Sequence, residues 1–391
     1  MGTRALNKLF GSHPEMSVSA KLHVLFLAIY IFLSGFVFVE PSPAEVWFSV
    51  SVPFLLIGFK TSPELVLTFG LLFIPMLVSA YVGSTFFGLY NLRFIIIDVY
   101  LFLFFFVIAS YLNAIKKKLP KEFVMDVLMR AWFLAGSINI LAGLFVMATG
   151  MEFPISIIRF GIRLQGFFKD PNVLGPFLVP VAFYFLNTFF EKKEKQIFYL
   201  LVFIFLSFGV FITFSRAAWL NYLITLLLCL FYTMYVRNVK KRVALFVIIM
   251  VFLLFSLLFF SSCIQILGYN LYEFIKIRAQ FQQYDEERFE TQLMFLDILS
   301  LTSVIFGAGP GNYENFSGMS THSLYLRYIA ERGIVGFITF CVFFSLVFKK
   351  ALKSHFKRFL IPSLIGQMVN SLFIDSLHWR HLWILFALSF L

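Results

Sequence analysis

Residues 191–242 read EKKEKQIFYLLVFIFLSFGVFITFSRAAWLNYLITLLLCLFYTMYVRNVKKR. Two apolar runs, 197–214 and 217–236, meet at Ser215-Arg216 with hardly any loop between them. A run of about 20 residues crosses the hydrocarbon core of a bilayer as a helix, so each run is a membrane span. The stretch is a membrane hairpin, and its two outer ends, EKKEK and RNVKKR, are both basic and lie on one side.

The rest of the chain repeats this pattern. It has 391 residues, 60% of them hydrophobic, 20% aromatic and only 13% charged, far more apolar surface than a soluble core uses. Apolar spans are expected near 22–39, 46–59, 65–82, 94–112, 131–148, 172–190, 197–214, 217–236, 243–261, 324–348, 359–373 and 382–391. The second, eleventh and last of these twelve are short. The fold class is all-α: a polytopic integral membrane protein of about 12 transmembrane helices, with residues 1–391 as one domain. The 57 phenylalanines read as lipid-facing and interhelical filler. Ser42-Pro43-Ala44 faintly resembles a signal-peptidase site, but an uncleaved first helix is the preferred reading.

Charge sets the orientation. With the N-terminus cytoplasmic, the loops at 1–21, 60, 113–130, 191–196, 237–242 and 349–358 hold 21 of the 32 lysines and arginines, as the positive-inside rule requires. The net charge of +12 is thus a property of cytoplasmic loops and no sign of nucleic-acid binding. Cys229, Cys263 and Cys341 form no disulfide framework. Two outer loops are long, 149–171 and 262–322. In the second, Leu293–Phe306 suits an amphipathic helix lying on the membrane or against the bundle, and Gly307–Gly311 breaks it.

The outer basic residues run against the charge rule, so each needs a reason. Snorkelling or pairing with an acid is the plain one. Arg163, in RLQGFFKDPN, and Arg216, pinned between two spans, suggest more. A guanidinium offers planar paired donors to phosphate oxygens, and two of them suit a diphosphate. His322 stands at the outer N-terminal end of its helix, where the helix dipole disfavours imidazolium and keeps the ring able to accept a proton. The plain alternative is a surface histidine. Gly333 and Gly336 read as packing residues. Asp285-Glu286-Glu287-Arg288 reads as a solvated face, with Arg288 kept as a phosphate contact. His378-Trp379-Arg380-His381 reads as an interfacial anchor belt. No HExxH, Walker loop or CxxC occurs, and metal-assisted chemistry has no support in the sequence.

His322-Ser323, nine residues, then Gly333-Ile-Val-Gly336 resembles the H-[NSQ]-x9-G-x-x-G motif of bacterial O-antigen ligases. RLQGFFKDPNVLG and FSRAAWL resemble the two arginine-bearing segments of the wider O-antigen ligase and polymerase family, and GAGPGNY its glycine-rich turn. The resemblance covers about residues 155–345. It implies a GT-C-type glycosyltransferase of the bacterial inner membrane, using an undecaprenyl diphosphate-linked glycan on the periplasmic face, with no cofactor. The acceptor would be lipid A-core or a lipid-linked glycan. His322 would be the base, with Arg163 and Arg216 binding the donor diphosphate. Arg159 could replace Arg163, and Asn172, Arg288 and Tyr313 would be further substrate contacts. Ligase and polymerase remain alternatives. The 262–322 loop, with three basic and seven acidic residues, would repel a phosphorylated core and leans mildly to the polymerase. A transporter or flippase is the rival from another class. Such proteins place ionisable groups near the bilayer midplane, whereas here they cluster at one membrane edge.

Overall fold

The computed structural model describes residues 18–56, 60–151, 153–236, 243, 246–250, 256, 259–318 and 321–391. Among them, six helices are long and apolar enough to cross a membrane: Pro63–Phe87 (α3), Leu92–Ile115 (α4), Lys121–Thr149 (α5), Pro171–Glu191 (α6), Arg216–Val236 (α8) and Leu324–Lys353 (α12). Val18–Leu33 (α1) and Gln196–Ile212 (α7) are apolar but shorter. Three expected spans are also short helices: Pro43–Leu56 (α2), Lys357–Asn370 (α13) and Arg380–Leu388 (α14). The expected span 243–261 and the basic cluster 237–242 fall largely outside the described residues. The chain is a helical, multi-pass membrane protein.

Its centre is α6. Asp170 caps it by accepting the Asn172 amide N–H at 2.6 Å, and Pro171 opens it where a missing N–H does no harm. Every side chain from Leu174 to Thr188 is buried, because α5, α7, α8 and α13 all pack around it. Small residues let these helices approach: a methyl group on Gly175 would meet Ala218 closer than 3.0 Å. The outward faces of other helices carry Ile74, Leu141, Leu227 and Ile338, each more than half exposed, as lipid-facing residues are.

Two ends are distinct. One holds the basic ion pairs Arg358–Glu191 (2.8 Å) and Lys350–Glu64 (2.6 Å) and the Lys116 ammonium on the Phe390 carbonyl (2.9 Å). The other gathers the 158–164 hairpin, the segment 262–323 and the turn 371–379. That segment contains a hairpin (Gln265–Ile266 with Tyr269–Asn270) and helices Leu271–Ala279 (α9), Gln283–Leu301 (α10) and Tyr313–Ser317 (α11). The amphipathic helix expected at 293–306 is met only in part by α10, which stops at Leu301 and does not gather its apolar residues on one face. α10 starts ten residues earlier and packs against α12.

Two expectations need correction. The expected run 324–348 is not one helix: Gly333 (φ 66°, ψ −171°) breaks it. The backbone groups freed there are satisfied by the glycine-rich turn. The Ala308 and Gly309 N–H groups donate to the Ala330 and Glu331 carbonyls (2.9 Å each), while Ile334 and Val335 donate to Val304 and Ile305 (3.0 and 3.2 Å). A side chain at Gly333 would meet the Ile305 backbone closer than 3.0 Å. Gly333→Ala is therefore expected to cost more than the roughly 1–3 kcal/mol of a strained backbone alone. A clear fall of the thermal unfolding midpoint in detergent would show it; an unchanged midpoint would contradict the inserted turn. Gly336 does act in packing, since a methyl there would press on the Arg332 side chain.

The second correction is the 378–381 anchor belt, which is internal. His381 is buried against the Phe177 ring, Arg380 pairs with Glu45, and His378 bonds Asp98 at 3.2 Å. Arg327 and Arg332, which could have snorkelled, are also buried and paired, with Asp375 (2.5 Å), Glu331 (3.1 Å to Arg327) and Asp98. Charges this deep require such partners.

Candidate functional site

Arg216 stands at the first position of α8, where the helix dipole disfavours a cation. Its guanidinium is held by Asp285, and Nη1 donates to the Gln280 carbonyl at 3.1 Å. Asp285 caps α10 in return, accepting the Gln282 N–H at 2.9 Å. Burial works against ionising this carboxyl, but the bonds from Arg216 and Gln282 and the Arg216 charge prevail and hold its pKa below the ordinary value. The DEER cluster is thus not simply a solvated face. Asp285, Arg288, Phe289 and Gln292 fall at i, i+3, i+4 and i+7, one side of α10.

That side closes a cavity of about 250 Å³ over the tip of α8. Three guanidinium groups line it, Arg216, Arg278 and Arg288, against the single carboxylate of Asp285. Asn172, Gln292 and the rings of Phe281, Phe289 and Phe373 complete much of the wall. Arg278 is steered by bonds from Nε to the Phe214 carbonyl (3.2 Å) and from Nη1 to Gln282 (3.3 Å).

The other expected residues sit around this cavity. Arg163 lies behind its wall, buried, with Nε on the Thr213 carbonyl (3.2 Å) and Nη2 on the Asn172 side-chain oxygen (3.0 Å). The same oxygen accepts from Ser215 at 2.7 Å, so Asn172 is clamped between the two arginine-bearing segments. Arg159 is exposed and donates to the Lys169 carbonyl at 2.9 Å. Tyr313 is fully buried with its hydroxyl on the Thr291 carbonyl, tying the glycine-rich turn to α10. Arg159, Arg163, Tyr313 and His322 do not line the cavity; His322 touches its wall through Gln292.

His322 precedes the N-cap of α12 with φ 53°. Its carbonyl accepts from Gln292 of the cavity wall at 3.2 Å, and Leu324 is anchored to the Ser371 carbonyl at 3.0 Å. The ring is half buried. Burial first, and the Arg288 charge next, lower its pKa; Asp170 and Asp375 oppose them more weakly. A lowered pKa favours the neutral ring at pH 7, with burial and a cation as its causes. A reaction that needs the neutral ring keeps its full rate above the ordinary histidine value of 6.5 and loses it only as pH falls through the lowered pKa. Initial rates across pH 4.5–8 check this, and Arg288→Gln should move the acid limb upward.

Residues 201–341 match the family model described as O-antigen ligase. This segment, about a third of the chain, is similar to the O-antigen ligase family. It takes in Arg216, all three guanidinium groups of the cavity, His322 and the Gly333–Gly336 break. A comparison with curated proteins found no match. The likeness is to membrane enzymes of ligase or polymerase type.

Two polar residues of the cavity were not singled out from sequence, Arg278 and Gln292. The spacing along α10 could have pointed to Gln292. Nothing local connects Arg278 to Arg216, which is 62 residues away in the chain.

Proposed function

We propose that the protein transfers a glycan from an undecaprenyl diphosphate-linked donor to a membrane-anchored acceptor, as a GT-C-type enzyme. The observation that carries this reading is the cavity with three guanidinium groups beside a neutral histidine, at the end opposite the basic loops. The positive-inside rule supports a periplasmic placement of that end, and the family likeness supports the bacterial inner membrane.

In this reading the donor diphosphate lies on Arg216, Arg278 and Arg288, whose net positive charge offsets its own repulsion. Arg163 acts one step back, by clamping Asn172. His322 takes the proton from the acceptor hydroxyl as that oxygen attacks the anomeric carbon. The new C–O bond forms as the bond from the anomeric carbon to the phosphate oxygen breaks, and undecaprenyl diphosphate leaves with that electron pair. Attack from the opposite face inverts the anomeric centre. The guanidinium groups carry the charge stabilisation that a metal ion supplies in other transferases, so the route is metal-independent.

Polymerase activity is the second reading, favoured by the acidic excess of residues 262–322. The test is purified protein in lipid nanodiscs with a defined lipid-linked oligosaccharide and either lipid A-core or a second lipid-linked glycan. A new, inverted glycosidic bond supports transfer, and the acceptor used separates the two readings. Movement of unaltered substrate across the bilayer of sealed proteoliposomes, with no new bond formed, would replace both with a flippase.

A further inference from the structure

A second and larger cavity, about 900 Å³, opens at the same end of the bundle. One wall is the start of α4, with Phe94, Ile97 and Tyr100; facing it are Glu45, Glu314, Arg327 and Arg380. Neither a simple anion nor a plain hydrocarbon suits these walls. Glu40, Glu45 and Glu314 are matched by Arg93, Arg380 and Arg327, which leaves no net positive charge for the first, and the second would leave buried polar groups unanswered. Arg327, which is buried, keeps Nη2 without a hydrogen-bond partner among the described residues, as does Nε of Arg380. Fixed carboxylate acceptors and guanidinium donors beside aromatic rings match a sugar, whose hydroxyls both donate and accept and whose C–H faces lie on rings. Leu92 and Ile96 also line the cavity and are more than half exposed on the outside of the bundle. The cavity therefore opens sideways toward lipid, where a hydrocarbon anchor would remain.

The two cavities share a partition. Phe373 and Ile374 line the first, His378 and Arg380 the second, and Asp375 stands between them. Asp375 bonds Arg327 of the second cavity at 2.5 Å, and its charge also acts on His322, whose carbonyl is bonded to Gln292 of the first.

Resting on the transfer reading above, we propose that this second cavity holds the sugar portion of the lipid-anchored acceptor, across the Phe373–Asp375 partition from the diphosphate cavity. The two sources of such a glycolipid, lipid A-core and a second lipid-linked glycan, are separate arms of the test. Full-length protein in nanodiscs is assayed with donor and each acceptor varied in turn. Ile97→Trp narrows the cavity at its aromatic wall and is expected to raise the KM for the acceptor by about tenfold or more, leaving the donor KM unchanged. Leu103→Trp, on the same helix but outside the cavity, should change neither. Should Ile97→Trp fail to fold, Ile96→Trp, at an exposed position, reads the same wall. An acceptor KM within twofold of wild type, or a rise in donor KM instead, overturns the proposal. Equilibrium binding of radiolabelled lipid A-core and lipid-linked glycan separates this from a failure of the transfer reading. If wild type transfers nothing yet binds one of them, and Ile97→Trp abolishes that binding, the cavity assignment stands alone. If wild type binds neither, it falls.

Discussion

His322→Ala is expected to lower glycan transfer by about 10²–10⁴-fold, the usual worth of a general base, with folding intact. The loss should appear in kcat, since the proton moves only as the acceptor oxygen attacks. Folding survives because the ring is half exposed and the segment is held by other atoms. The His322 carbonyl bonds Gln292, Thr321 bonds the Ser323 backbone, and Leu324 bonds Ser371. An unchanged thermal midpoint with collapsed kcat is the predicted pair of observations. Transfer at the wild-type rate by this variant would remove the histidine from the chemistry.

Arg216→Ala comes next in size. Removing one preorganised charge partner of a leaving diphosphate is expected to cost about 10²–10³-fold in rate. A second effect follows from the ion pair: the variant leaves the largely buried Asp285 carboxylate without its guanidinium, in a cavity meant for another anion. Asp285→Asn in the same chain should therefore restore part of the loss, and the two substitutions should be strongly non-additive. Arg216→Lys should remain impaired, because an ammonium cannot span Asp285, the Gln280 carbonyl and a phosphate at once. Purely additive effects in the double-mutant cycle would separate Arg216 from Asp285 in function.

Much of the site was legible because its residues violate a local rule. Arg216 sits between two spans, Arg288 and Arg163 lie on the side where basic residues are scarce, and His322 opens an apolar helix. Rule-breaking could not show what each residue meets. Arg163 and Arg216 looked equivalent, yet Arg163 is consumed by backbone and Asn172, whereas Arg216 faces the cavity with Arg278. The Gly333 break was hidden for a similar reason. A glycine in an apolar run reads as packing, and only the turn 304–309 lying against it supplies the hydrogen bonds that a broken helix needs.

The amino-acid order alone determined that this chain lives in a membrane, which end is basic, and that a family-type histidine and arginines stand at the other end. Those properties depend on hydropathy and charge summed over neighbouring residues, so they are readable along the chain. Tertiary structure decided which arginines share a cavity, that Asp285 and the 378–381 cluster face inward, and that the His322 carbonyl is tied to Gln292 of the cavity wall. Such pairings join residues dozens to hundreds of positions apart, and helix packing, which no local pattern records, chooses them.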